Sequence, residues 1–126
     1  MSISDLLNLG SKNLKNNKIK THRLDSEIIL SSLLKEQREQ IIIKSEEKVS
    51  RRVIKNFNKL ITRRSTREPL AYILEKKEFW SKNFFVNRNT LIPRPETELL
   101  CDAVIKILKN KKSHILDIGT GTGCVL

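Results

Sequence analysis

The stretch that decides the fold is His114-Ile115-Leu116-Asp117-Ile118-Gly119-Thr120-Gly121-Thr122-Gly123-Cys124. Residues 115–118 are apolar except for Asp117, and they predict a short buried strand. Three glycines at alternate positions follow, and they predict a tight turn because glycine takes positive φ without strain. Residues without a Cβ also let a ligand approach the main chain. The stretch therefore predicts a strand leading into a ligand-binding turn, although an ordinary glycine-rich connection would have the same sequence.

The glycine spacing separates the candidate ligands. A dinucleotide fingerprint would place its third glycine at position 124, where this chain has Cys124. A Walker loop requires a lysine after its last glycine, and none follows here. The pattern Asp-x-Gly-x-Gly-x-Gly instead resembles the first motif of S-adenosylmethionine-dependent methyltransferases. That resemblance implies S-adenosylmethionine as the ligand of the turn.

Composition indicates a soluble globular chain. Of the 126 residues, 38% are hydrophobic and 31% are charged, a composition that fits a soluble globular protein rather than a disordered one. Apolar runs such as Ile41-Ile42-Ile43 are too short to span a bilayer, and residues 1–5 lack the order of a signal peptide, so we expect a cytoplasmic protein. Two cysteines, Cys101 and Cys124, are too few for a disulfide framework and lack metal spacing. We interpret both as small buried residues.

The net charge of +11 is unevenly distributed. Residues 1–67 contain 16 Lys or Arg against 7 Asp or Glu, whereas residues 68–126 contain 9 against 7. A basic first half can attract nucleic acid, ribosomal surroundings or an acidic protein surface. It is also what solvated helix surfaces look like in a lysine-rich chain, so the charge alone identifies no partner.

Apolar residues recur at helical spacing through the first 74 residues and predict a small helical bundle. The expected elements are a helix capped by Ser2 or Ser4 and ending near Asn16-Asn17, a helix from His22 to about Lys35, a short helix or extended turn over residues 36–43, a helix from Ser45 or Ser50 to Arg64, and a short helix from Pro69 to Leu74.

The pattern changes at Glu75. Phe79-Trp80 and Phe84-Phe85-Val86 predict the two strands of a hairpin joined by residues 81–83. A helix is predicted to begin near Pro95, with Glu96 and Glu98 near its start. Its expected buried face comprises Leu99, Leu100, Ala103, Val104, Ile107 and Leu108.

Several strings in order give the chain a close resemblance to the HemK/PrmC family of peptide-chain release factor glutamine methyltransferases. They are Thr62-Arg63-Arg64, Glu68-Pro69-Leu70-Ala71-Tyr72-Ile73-Leu74, Glu78-Phe79-Trp80, Leu91-Ile92-Pro93-Arg94-Pro95-Glu96-Thr97-Glu98 and the terminal glycine turn. The match extends from about Asp25 to the last residue. One departure is Glu75, where the family usually has a glycine that would serve as a helix C-cap.

The resemblance implies a mainly α fold: a helical substrate-recognition domain over residues 1–74, a β-hairpin connector over 75–93, and the truncated start of a Rossmann-like methyltransferase domain over 94–126. It implies S-adenosylmethionine as cofactor and a release factor as protein partner. The implied cofactor-binding residues are Asp117, Gly119, Thr120, Gly121, Thr122 and Gly123, with Arg94 as candidate partner of the cofactor carboxylate. Helix capping and domain packing are the alternative roles of Arg94 and Glu96.

The family's catalytic Asn-Pro-Pro-Tyr element does not occur in these residues. No residue is therefore assigned a catalytic role, and we expect the chain alone to be inactive, with residues after about 112 disordered or paired with a second copy. Two alternatives remain open: a non-catalytic basic module that binds RNA or protein, and part of a nucleic-acid amino-methyltransferase.

Overall fold

The computed structural model describes residues 1–109 and 111–126, which form two compact units, Met1–Leu74 and Glu75–Leu126. The first unit is helical. The second contains a two-stranded antiparallel hairpin and one further helix. The predicted fold class, mainly α with a hairpin and a following helix, is confirmed.

Five helices build the first unit: α1 (Ile3–Asn16), α2 (His22–Leu34), α3 (Arg38–Ile43), α4 (Arg51–Ser65) and α5 (Leu70–Leu74). Ser2 caps α1, since its Oγ accepts the Asp5 N–H (3.1 Å) while the Asp5 carboxylate accepts the Ser2 N–H (2.9 Å). These bonds from Ser2 lower the pKa of Asp5. Ser50 caps α4, and residues 38–43 are helical rather than extended. The structure thus decides the alternatives that the sequence left open.

The core of the bundle forms where α1, α2 and α4 meet. Its buried side chains are Ile3, Leu6, Leu14, Ile19, Ile29, Leu30, Ile41, Phe57 and Ile61. Gly10 of α1 lies against the fully buried ring of Phe57, and a Cβ at this glycine would be 2.6 Å from Phe57 Cζ. The absence of a side chain at position 10 therefore lets α1 and α4 approach closely.

Two carboxylates of α2 are buried and paired. Asp25 Oδ2 accepts hydrogen bonds from Arg64 Nε (2.7 Å) and from the hydroxyl of Thr21 (2.9 Å). Glu27 is bound by Arg38 Nη2 at 2.6 Å and by Arg23 Nε at 3.3 Å. Because a buried charge without a partner is strongly unfavourable, these contacts fix α2 against the C-terminal end of α4 and the start of α3.

The N-terminal residues pair with the segment between α3 and α4. The N–H groups of Ile3 and Ser4 donate to the carbonyls of Glu47 (3.0 Å) and Ser45 (2.9 Å). The Val49 N–H donates to the Met1 carbonyl at 3.1 Å. This pairing, which we call the N-terminal clasp, satisfies backbone groups that precede α1 and the first helical N–H groups.

The hairpin of the second unit consists of β1 (Lys76–Phe79) and β2 (Lys82–Phe85), with Phe79 opposite Lys82. The turn is therefore Trp80-Ser81, two residues with φ of 49° and 58°, rather than the predicted residues 81–83. Positive φ at both positions is the geometry of a type I′ turn, whose twist matches that of the strands. Glu75, just before β1, also takes positive φ (53°), the conformation a glycine would adopt there.

The second unit departs from the sequence prediction in its apolar surfaces. The helix α6 (Thr97–Leu108) forms as expected, but its predicted buried face is wrong: only Cys101 of the helix is buried, and Leu99 (70%) and Ile107 (68%) are exposed. Residues 115–118 form no strand, and Leu116 is 83% exposed. Both results have one cause, since in the part of the chain that the structure describes the hairpin is the only sheet.

Candidate cofactor-binding site

The glycine turn has the backbone geometry predicted for it. Gly119, Gly121 and Gly123 have φ of 82°, 56° and 73°, a region that residues with a Cβ rarely occupy. The Gly123 N–H donates to the Thr120 carbonyl at 2.9 Å and closes the turn. A Cβ at Gly119 or Gly123 would meet no atom within 4 Å, so the main chain is open on that side. The turn is therefore accessible to a ligand that approaches its backbone.

Two polar atoms beside the glycines have unused hydrogen-bonding capacity. Asp117 Oδ2 and Thr122 Oγ1 are both buried, and neither has a hydrogen-bond partner among the described residues. Buried polar atoms are usually paired, because an unpaired one loses its solvation without compensation. A ligand that donates to the carboxylate and bonds to the hydroxyl would satisfy both atoms, so these residues fit a polar ligand.

Arg94 lies before α6, between Pro93 and Pro95. Its carbonyl accepts the Thr97 N–H at 3.1 Å, and its side chain is exposed without a hydrogen-bond partner in the described ranges 1–109 and 111–126. The guanidinium is thus available to an anion. Arg94 is not among the residues that line the cavity formed by the hairpin and residues 123–126.

That cavity has a volume of about 620 Å³ and is lined by Phe79, Trp80, Lys82, Phe84 and residues 123–126. The hairpin aromatics in its wall were not predicted as site residues. A signal was present, because Phe79, Trp80, Phe84 and Phe85 are four of the six aromatics in the chain. Aromatic walls beside a polar turn are typical of sites for small organic ligands.

A hydrogen bond joins the hairpin turn to the start of α6. The backbone N–H of Trp80 donates to Glu98 Oε1 at 2.8 Å. Glu98 lies in the first turn of α6, where a carboxylate also interacts favourably with the helix dipole. Glu98 therefore holds the Trp80-Ser81 turn near the start of α6, and the Pro93–Pro95 segment that contains Arg94 directly precedes this helix.

The cysteines differ in environment. Cys101 is buried, and that burial raises its thiol pKa, so the thiol stays protonated and unreactive at neutral pH. Cys124 is only partly buried, which corrects the prediction that both are buried residues. Among the described residues no cluster of His, Cys, Asp or Glu could hold a metal ion, and no described helix has the length and apolar character to cross a bilayer.

The fold defines a class of protein: a helical bundle followed by a second unit that contains an aromatic hairpin and a glycine turn, of which Gly123 lines the cavity beside the hairpin. Comparison with known proteins identifies the family of the helical unit. The family model of the PrmC N-terminal domain matches residues 5–74. The chain belongs to this family.

Curated relatives cover most of the chain. A release factor glutamine methyltransferase of Buchnera aphidicola from Schizaphis graminum is 48% identical over 104 residues, which are 82% of this chain and 38% of the relative. The Coxiella burnetii protein of the same name is 44% identical over 107 residues, 84% of this chain and 39% of the relative. A bifunctional methyltransferase of Rickettsia prowazekii is 34% identical over 143 aligned positions, 98% of this chain and 28% of the relative. The chain therefore spans about two fifths or less of the length of these relatives.

Proposed function

We propose that this chain is the N-terminal part of a release factor glutamine methyltransferase. The whole enzyme would transfer a methyl group from S-adenosylmethionine to the side-chain amide of the glutamine in the Gly-Gly-Gln motif of peptide-chain release factors, in the cytoplasm. The observation that carries the proposal is the succession of a PrmC N-terminal domain over residues 5–74 and an open glycine turn over residues 119–123. The names of the relatives support the same activity.

The two units suggest a division of labour. The helical unit, residues 1–74, would recognise the release factor. Residues 75–93 would connect it to the methyltransferase domain, which residues 94–126 would begin. This arrangement keeps the recognition of a protein substrate separate from the binding of a small cofactor.

The residues of the second unit fit S-adenosylmethionine, which when bound supplies an activated methyl group on a sulfonium sulfur. Gly119, Gly121 and Gly123 would let the cofactor approach the main chain. Asp117 Oδ2 and Thr122 Oγ1 would gain the hydrogen bonds they lack. The guanidinium of Arg94 would pair with the carboxylate of the methionine moiety, a geometry that arginine satisfies with two parallel hydrogen bonds.

These 126 residues contain no Asn-Pro-Pro-Tyr string. An amide nitrogen is a poor nucleophile because its lone pair is delocalised into the carbonyl, and acceptors must orient its hydrogens before it can attack the sulfonium methyl. In the resembled family that element supplies the acceptors. We therefore assign no catalytic residue in this chain and expect it to have no methyltransferase activity by itself.

Calorimetric titration tests the proposal. The chain is titrated with S-adenosylmethionine and, separately, with a purified release factor. We expect the release factor to bind through the helical unit. If the chain also binds S-adenosylmethionine, Asp117→Asn should weaken the binding of this cofactor. Asp102→Asn, an equal change of charge at an exposed position of α6, is the matched control. If the chain bound neither S-adenosylmethionine nor the release factor, the proposal for this chain would be overturned.

A further inference from the structure

A basic surface lies on the helical unit where α1, α2 and α4 end or begin. A hollow of about 280 Å³ is lined by Lys18, Ile19, Lys20, Thr21, Arg64 and Arg67. A neighbouring hollow of about 400 Å³ shares three of these residues and adds Lys15 and His22. We call the first of these the basic hollow. Its four cations make it a strongly positive concave site on the described surface.

Few negative charges offset these cations. Lys18, Lys20 and Arg67 are exposed and form no ion pair with any residue in the described ranges. Two carboxylates adjoin the site, and both already have cationic partners: Asp25 is 3% exposed and is bound by Arg64, and Glu68 is bound by Arg63. The basic hollow therefore presents an excess of about three positive charges to solvent.

Arg64 forms a preorganised donor at this site. Its Nε donates to Asp25 Oδ2 (2.7 Å) and its Nη1 to the Glu68 carbonyl (3.0 Å), so the guanidinium plane is fixed. No acceptor among the described residues takes a hydrogen bond from Nη2. A fixed, partly buried guanidinium with a spare N–H group binds an oxyanion with little loss of conformational entropy.

Two of the cations that line the basic hollow occupy backbone positions that favour glycine. Lys18 and Arg67 each follow the C-cap of a helix, α1 and α4 respectively, with φ of 58° and 68°. Glycine is the preferred residue at such positions because a Cβ strains the left-handed conformation. A cation in the last turn of a helix already interacts favourably with the helix dipole, so the dipole alone does not explain a cation at these two positions. Both strained positions carry a positive charge at the same hollow.

The lining favours phosphate over an acidic protein surface. Lysine is depleted in protein interfaces but is a regular ligand of phosphate. The apolar member of the set, Ile19, is only 6% exposed, so the hollow offers no hydrophobic anchor of the kind that protein interfaces use. Among the described residues no aromatic side chain lines the hollow, so their lining provides no surface on which bases could stack. We infer that the basic hollow is a binding site for the phosphate groups of a single-stranded nucleic-acid backbone, without sequence preference.

The size of the hollow is adequate. A water molecule takes about 30 Å³ in the liquid, so 280 Å³ accommodates one phosphate group together with several of its waters. Three exposed cations predict that the logarithm of the affinity for single-stranded RNA falls with the logarithm of salt concentration with a slope of about −2. The inference is independent of the proposed methyltransferase function, because it involves neither the cofactor nor the release factor.

The structure provides matched variants for the test. Lys18→Gly and Arg67→Gly each remove one positive charge and also relieve a left-handed residue, so both should preserve the fold. Lys35→Gly makes the same changes of charge and backbone, because Lys35 also has positive φ (57°), yet it lies outside the basic hollow. Thermal unfolding of all three variants checks that folding is unaffected.

The experiment measures binding of fluorescent oligouridylate to the full chain between about 50 and 200 mM salt, a range over which phosphate contacts are strongly weakened. We expect Lys18→Gly and Arg67→Gly each to bind about threefold more weakly and each to flatten the salt slope by about 0.7. Lys35→Gly should match the parent chain. Absence of RNA binding at low salt, an equal loss in Lys35→Gly, or equal binding of polyglutamate would each overturn the phosphate assignment.

Discussion

Replacement of Gly10 by alanine tests the packing of the helical bundle. In an exposed helix this change would stabilise by about 1 kcal/mol, because glycine is a poor helix former. Here the added Cβ would lie 2.6 and 2.8 Å from Phe57 Cζ and Cε1, and 3.1 Å from Ser26 Oγ. The Phe57 ring is fully buried and cannot turn into solvent, and Ser26 is held by a 2.9 Å bond to the His22 carbonyl.

Overpacking of this kind typically costs about 1–3 kcal/mol, and it should exceed the gain in helix propensity. We expect Gly10→Ala to lower the free energy of unfolding by up to about 2 kcal/mol, the overpacking cost less the gain in helix propensity, in urea titrations followed by circular dichroism. Lys12→Ala, an exposed change in the same helix, should stay within about 0.5 kcal/mol of the parent. Combining Gly10→Ala with Phe57→Leu should cost less than the two single changes added together, because the smaller side chain makes room for the methyl group. A stabilised Gly10→Ala variant would refute this account of the α1–α4 contact.

Three further outcomes follow from the described contacts. Arg64→Met should destabilise the bundle by about 3 kcal/mol, because it leaves the buried Asp25 carboxylate without its cation; a urea titration that shows under about 0.5 kcal/mol would contradict this. Glu75→Gly should slow amide exchange across the hairpin by relieving a positive φ of 53°, whereas Glu75→Val should accelerate it; identical exchange in both would mean that this corner is not left-handed. Iodoacetamide should alkylate Cys124 before Cys101, because burial raises the thiol pKa of Cys101. The Cys101 thiol should become reactive only as pH rises through that raised pKa, and the protein should lose the stability linked to the protonated thiol over the same range. Equal alkylation rates of the two cysteines at neutral pH, measured by mass spectrometry, would contradict this.

The helices could be predicted from the sequence because their signals are local. Apolar spacing and a polar cap such as Ser50 lie within one or two turns of each other, so the element needs little information from elsewhere. Where two caps were available, as with Ser2 and Ser4, the choice depended on a reciprocal bond with Asp5 that composition alone does not determine.

The second unit was harder to predict because its features depend on distant partners. Trp80-Ser81 lacks the Asn-Gly signal of a two-residue turn, so the strand register was shifted in the prediction. The apolar residues of α6 and the strand expected at 115–118 have no covering sheet among the described residues, although their patterns are correct for one.

The candidate site likewise combines features that depend on local sequence with features that depend on distant contacts. The positive φ values of Gly119, Gly121 and Gly123 follow from residue type and spacing, and they were predictable. The unpaired oxygens of Asp117 and Thr122 and the aromatic wall at Trp80 depend on how the chain folds back on itself. The assignment of Arg94 to a cofactor carboxylate remains a prediction.

The N-terminal clasp has a consequence for folding during synthesis. Met1 to Ser4 are synthesised before residues 45–49, which supply the carbonyls and the N–H group that pair with them. The start of α1 therefore cannot complete its backbone pairing until this later segment has left the ribosomal exit tunnel. At typical rates of about 5–20 residues per second, that interval lasts a few seconds, far longer than the microseconds in which a helix forms. In the growing chain α1 would form and fray many times before the clasp closes over it.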